Sequence, residues 1–243
     1  MNDHNKLNLN EFFYNLKDEV YIVAKLSENF PDYHAGDDID IFCYSLKKVA
    51  TQILGLGNKL TKKGYIVKVT KRLNQYYIDF YFNDSLEFRF DLYQKFPEYK
   101  KINIKEALFY SIIENATSVT HYHKGNPYPL FIPSQIDDLL LRYIEYIEWY
   151  ETRPDKIKHA DYISKKIKSD ETRINILDKL HAYTDIPEFN YERKPSKFSK
   201  RYLFRSIRFR IKSVLKSILH VLPHEIQKAL IAFYKFLLKV KKR

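Results

Sequence analysis

The chain of 243 residues has a single cysteine, Cys43. One thiol cannot close an intramolecular disulfide or build a cysteine-only zinc cage, so neither kind of scaffold is expected. Glycine is scarce as well, at five residues, and no Gly-rich phosphate loop, nucleophile elbow or zinc-ligand spacing is found. No apolar run reaches the ~20 residues needed to span a bilayer, and Met1–Asn10 is polar, without the apolar centre of a signal peptide. The expected compartment is therefore the cytoplasm. What is present is a composition with 45% hydrophobic and 16% aromatic residues, far from that of a disordered chain and sufficient for a substantial core.

Charge is unevenly placed. Of 42 Lys and Arg and 30 Asp and Glu, 16 basic residues and one acid, Glu225, fall after position 192, which leaves 26 basic against 29 acidic before it. The net charge of +12 is thus a property of the C-terminal segment. This shift marks a boundary, with Glu188 to Ser199 as the linker. The expected organisation is a first domain over 1–100, a helical region over 101–187 that packs on it, and a linker with basic helices over 188–243.

The most informative stretch is Gly36-Asp37-Asp38-Ile39-Asp40-Ile41-Phe42. In a strand, residues i and i+2 share a face, so Asp38 and Asp40 point together while Ile39 and Ile41 point into a core. Neighbouring carboxylates repel unless a cation sits between them, and hard oxygen donors suit Mg²⁺ or Mn²⁺. The bland reading is a strand end with solvated acids. A third carboxylate is expected on one of two later strands: Asp91 in Leu86-Glu87-Phe88-Arg89-Phe90-Asp91-Leu92, or Asp79 in Tyr77-Ile78-Asp79-Phe80-Tyr81.

The spacing predicts a helix within Leu7–Lys17, strands over 19–26 and 38–44, and a Ser45-capped helix to about Leu60. Strands follow at 65–70, 75–82 and 86–93, the last two joined as a hairpin by Asn83-Asp84-Ser85. Helices are expected to fill most of the remainder, including one opened by Ser134 with Asp137, one near Pro154 and one over 171–181. His121 and His123 are placed in a Lys-Gly-Asn-Pro loop as solvated side chains rather than a metal pair. Tyr143, Tyr146, Trp149 and Tyr150 read as helix packing, and Arg142, Arg153, Lys156 and Lys158 as solvated helix faces.

The order strand, loop, Gly-Asp-Asp-Ile-Asp-Ile-Phe, helix, then a strand with a further Asp resembles the nucleotidyltransferase superfamily of the DNA polymerase beta type, in particular small bacterial members associated with cell-surface polysaccharides. The resemblance covers about residues 19 to 95. It implies a mixed α/β fold, a nucleotidyltransferase-like core followed by helices, with Asp38 and Asp40 as metal ligands and Asp91 as the third carboxylate. The family places a Gly-Ser turn about eleven residues before the first Asp to bind donor phosphates. Here Ser27 stands eleven residues before Asp38, but Leu26 replaces the glycine, which removes close backbone approach. Lys25, Ser27 and Gly36 are the donor-binding candidates. The implied activity is Mg²⁺- or Mn²⁺-dependent transfer of a nucleotidyl or phosphoryl group from a nucleotide or activated sugar to a sugar or glycan acceptor. A catalytically inactive scaffold of the same fold and an RNA-directed transferase are the alternatives.

Beyond the linker, Arg201, Arg205, Arg208, Lys212 and Lys216 recur every three or four residues opposite an apolar stripe of Phe204, Ile207, Ile211, Leu215 and Ile218. A basic amphipathic helix of this kind fits the inner face of an anionic membrane. Nucleic acid, and packing of the stripe on the first domain, are the rivals.

Overall fold

The computed structural model describes residues 6–192 and the single position Ile226. The membrane-binding expectation at Arg201, Arg205, Arg208, Lys212 and Lys216 lies outside the described residues, as does most of the proposed linker and tail. The chain divides into two compact units, one formed by 1–148 with 159–191 and the other containing 149–158 and Glu192.

The fold is mixed α/β. In chain order the elements are α1 (Leu9–Asn15), β1 (Tyr21–Val23), β2 (Asp37–Cys43), α2 (Leu46–Thr61), β3 (Ile66–Arg72), β4 (Gln75–Phe82), β5 (Ser85–Tyr93), α3 (Ala107–Glu114), β6 (Thr117–His123), β7 (Asn126–Ile132), α4 (Gln135–Trp149), α5 (Ile157–Lys166) and α6 (Asp170–Tyr183). A 3₁₀ turn, Pro154–Lys156, precedes α5. Five strands form one sheet in the order β1-β2-β5-β4-β3, and β6 with β7 forms a separate hairpin. Within the large sheet β2 and β5 run parallel, while the other neighbours are antiparallel.

Local chemistry explains the elements. Ser45 caps α2 by accepting from the Lys48 amide at 3.4 Å, and Leu46, Val49, Ala50, Ile53 and Leu56 form the buried stripe of that helix. Asn83 and Asp84 both take positive φ, +47° and +59°, the backbone of a two-residue turn whose twist matches a β4–β5 hairpin. Period-two alternation then turns Ile39, Ile41, Ile78, Phe80, Phe88 and Phe90 to one face, where all are buried with Phe12 and Phe13 of α1. Each such side chain contributes about 1.5–3 kcal/mol of burial. That packing fixes which face the alternate residues, the acids among them, must occupy.

One expectation is corrected: His121 and His123 lie on β6 rather than in a loop, opposite Tyr128 and Asn126, in a hairpin that stands among the helices of the 101–187 segment. The Lys124-Gly125 turn, with φ of +50° and +81°, closes the hairpin. Pro127 and Pro129 are tolerated in β7 because a two-stranded ribbon has only edge strands. His121 lies edge-on to Phe30 at 5.0 Å and His123 against Tyr14 at 5.4 Å, so both rings are packing groups. Among the described residues no helix is long and apolar enough to cross a membrane.

Candidate functional site

Gly36, at φ +80°, makes the turn that launches β2, and its amide donates to the Glu87 carbonyl at 2.9 Å. The left-handed backbone there suits a residue without Cβ. The turn is closed further by the His34 amide, which donates to Asp37 Oδ2 at 2.7 Å. The turn sets the register of β2 on β5, in which Asp38 lies opposite Arg89 and Asp40 opposite Asp91. Paired residues of neighbouring strands share a face, with strands about 4.8 Å apart. Asp38, Asp40 and Asp91 are thereby gathered on the face opposite the apolar core.

The three carboxylates differ in setting. Asp38 is exposed and Asp40 half-buried, whereas Asp91 is 6% exposed. Its Oδ1 is enclosed without a hydrogen-bond partner, and its nearest cation is Arg89 Nε at 3.7 Å. Burial, then the charges of Asp40 and Asp38, push the Asp91 carboxyl up to about 8, with Arg89 opposing in part. Asp79 sits across β4, where Arg89 Nε lies 2.5 Å from its Oδ1. The arginine belongs first to Asp79 and only at longer range to Asp91.

A second layer comes from distant parts of the chain. Lys25 follows β1, and the neighbouring Ala24 amide donates to the Asp40 carbonyl at 2.9 Å, which brings the lysine alongside β2. Its Nζ lies 2.9 Å from Asp40 Oδ2 and also pairs with Glu145 Oε1 of α4. Burial alone would favour the neutral amine, but Asp40 and Glu145 outweigh it and hold the ammonium above its ordinary pKa. On α5, His159 Nε2 lies 3.0 Å from Glu145 Oε2. Sequence reasoning missed Glu145 and His159. No local pattern points to either, since only the tertiary fold brings α4 and α5 to β2.

Lys25, Asp40, Tyr93, Tyr99, Leu141 and Glu145 line a cavity in which about 40 Å³ is open to the centre of a water, room for about three waters. Burial first, with Asp40 or Glu145 adding to it, raises the hydroxyls of Tyr93 and Tyr99, so both stay protonated. Ser27 is exposed and its Oγ accepts from the Asn29 amide at 3.2 Å, which commits it to its own turn. Leu26 packs against the core. Cys43 is buried, and burial pushes its thiol up to about 12, which leaves no thiolate nucleophile at neutral pH. Tyr143 and Tyr146 are buried in α4.

Among the described residues, no group of three or more His, Cys, Asp and Glu side chains is arranged to hold a metal ion. Asp40 is engaged by Lys25 and Asp79 by Arg89. The register nevertheless gathers three carboxylates on one face, and burial first, with Asp40 and Asp38 adding to it, raises the Asp91 carboxyl, whose Oδ1 is enclosed. Comparison with protein-family models, with curated proteins and with solved structures gives no match to this chain.

Proposed function

We propose that the protein is a divalent-cation-dependent transferase that passes a nucleotidyl or related phosphoryl group to a hydroxyl of a sugar or glycan precursor. The observation that carries this reading is the placement of Asp38, Asp40 and Asp91 on adjacent parallel strands, with the Asp91 carboxyl raised by burial first and by Asp40 and Asp38 after it. Clustered carboxylates held against their own repulsion are a mark of functional sites rather than of stability. Asp38, Asp40 and Asp91 would hold Mg²⁺ or Mn²⁺, which when bound supplies Lewis-acid polarisation of the donor phosphate.

The chain's own groups account for the rest. Asp91 either completes the shell of the ion or accepts the proton of the attacking hydroxyl at its carboxylate. Lys25 orients Asp40 through the 2.9 Å contact. Tyr93 and Tyr99, kept protonated, are hydrogen-bond donors at the cavity. Donor and acceptor would meet these groups on the sheet face that carries Asp38 and Asp40. The basic segment beyond position 192 would add attraction to an anionic membrane.

A second reading, a non-catalytic binding protein of the same fold, is favoured by one observation: the Lys25 ammonium already neutralises Asp40. A panel of nucleoside triphosphates and nucleotide sugars, with Mg²⁺ and glycan acceptors, separates the two. The transferase releases pyrophosphate or a nucleoside phosphate, at a rate lowered at least ~100-fold in Asp91→Asn. Silence across the panel, with no nucleotide binding by calorimetry, overturns the transferase in favour of the binding protein.

A further inference from the structure

We propose that the cavity beside Asp40 takes the acetyl group of an acetamido sugar, so that the acceptor is an N-acetylated sugar. The inference rests on the transferase reading above and names its acceptor. About 40 Å³ of the cavity is open to the centre of a water, room for about three waters. A carbonyl carbon, its oxygen and a methyl group are the same number of non-hydrogen atoms. Asp40 belongs both to the cavity wall and to the acid face, where it lies opposite Asp91 on the next strand, about 4.8 Å away. A sugar anchored in the cavity by its acetyl group has its ring beside these two acids.

The lining selects among small groups. Phe42, Pro97 and Leu141 give the cavity an apolar wall, in which Phe42 and Leu141 are buried, and such a wall favours a methyl group over water. Tyr93 and Tyr99 add their hydroxyls to the lining, and neither hydroxyl has a hydrogen-bond partner among the described residues. A pair of O–H donors matches the two lone pairs of a carbonyl oxygen. Charge excludes other small guests. The Lys25 ammonium lies 2.9 Å from Asp40 Oδ2 and pairs with Glu145 Oε1, so a further cation would meet an ammonium already in place and an anion would meet two carboxylates. What remains is a neutral group with one polar and one apolar end. A hydroxymethyl group has no methyl for the wall to cover, and a longer acyl chain exceeds the volume.

Saturation-transfer NMR on the full-length protein tests this, with N-acetylglucosamine, glucose and N-butanoylglucosamine as probes at millimolar concentration. The methyl protons of N-acetylglucosamine should receive several-fold more saturation than its ring protons, and the other two sugars should bind several-fold more weakly. Leu141→Phe, which fills the apolar wall, should abolish the preference for the methyl group. Tyr99→Phe, which removes one donor and keeps the ring, should weaken N-acetylglucosamine binding several-fold while glucose is unaffected. A methyl group saturated no more than the ring, or glucose bound as tightly as N-acetylglucosamine, overturns the inference. So does silence from every sugar, which would mean a cavity that holds water only. In each of these cases the transferase reading is still decided separately, by pyrophosphate or nucleoside phosphate release in the nucleotide panel. The wild-type saturation pattern and Tyr99→Phe decide the matter even if Leu141→Phe fails to fold.

Discussion

The two halves of one sheet face carry opposite charge, and they hold it in different ways. At the β2–β5 end, Asp38, Asp40 and Asp91 share the face, Asp91 is buried, and the compensating groups Lys25 and Glu145 arrive from distant elements. At the β3–β4 end, Lys68 and Arg72 are exposed and rest on rings of the adjoining strand, Lys68 Nζ 4.7 Å from the Tyr81 centroid and the Arg72 guanidinium 5.1 Å from that of Tyr77. Arg89 stands at the border, over Tyr77 on one side and paired with Asp79 on the other. The cationic half is what a free sheet edge needs, since charged residues on β3 discourage pairing with another chain. The acidic half costs stability where it stands. Charge held against repulsion and burial is the better pointer to chemistry, and charge held in solvent the better pointer to solubility.

The largest expected difference between the halves follows from removing one cation in each. Lys25→Met leaves Asp40 and Glu145 unpaired in a partly buried place and should destabilise the protein by about 3 kcal/mol. Lys68→Met, in solvent over a tyrosine, should cost no more than ~0.5 kcal/mol. Urea denaturation of both variants gives the two values. Equal costs would show that the acidic end is no more constrained than the edge strand.

Next in size is a pH effect confined to the acidic half. The Asp91 carboxyl is raised to about 8 in the folded chain by burial, Asp40 and Asp38, against about 3.9 when unfolded. The folded state therefore binds this proton more tightly. Its stabilising contribution is complete below about pH 4 and is lost as pH rises through 8. In chelator, wild-type stability should fall relative to Asp91→Asn by about 2 kcal/mol between pH 6 and 7.5, at 1.36 kcal/mol per unit. A gap that stays constant across that range would mean that Asp91 is an ordinary carboxylate.

The alternation in Asp38-Ile39-Asp40-Ile41 made a shared face for the two acids legible from sequence, and Ile39 and Ile41 are indeed buried. The Ser45 cap, the β4–β5 turn and the Ser134 start of α4 were equally local and equally legible. The position of Asp91 directly beside Asp40 was not. It depends on β2 and β5 being parallel neighbours across an excursion that contains α2, β3 and β4. Glu145 lies 120 residues from Lys25, beyond any periodic signal. The β6–β7 hairpin was misread because Pro127 and Pro129 are loop residues by propensity and strand residues only on an edge.

The smallest effect compares the two glycines that lead into the two halves. Gly36, at φ +80°, opens β2, and Gly64, at φ +88°, follows α2 and precedes β3. An alanine forced into that left-handed backbone costs about 1 kcal/mol at either position. At Gly64 the added Cβ would meet only Phe82, at 3.7 Å, so backbone strain is the whole cost there. Gly64→Ala and Gly36→Ala should therefore have similar melting temperatures. Their consequences should differ, because Gly36 also donates to Glu87 and sets the β2–β5 register that brings Asp40 beside Asp91. Mn²⁺ affinity should fall several-fold in Gly36→Ala and stay at the wild-type value in Gly64→Ala, a comparison made by titration with the electron paramagnetic resonance signal of free Mn²⁺ as readout. If both variants bind Mn²⁺ as the wild type does, the Gly36 turn positions no ligand, and the acidic half is held by its strand pairing alone.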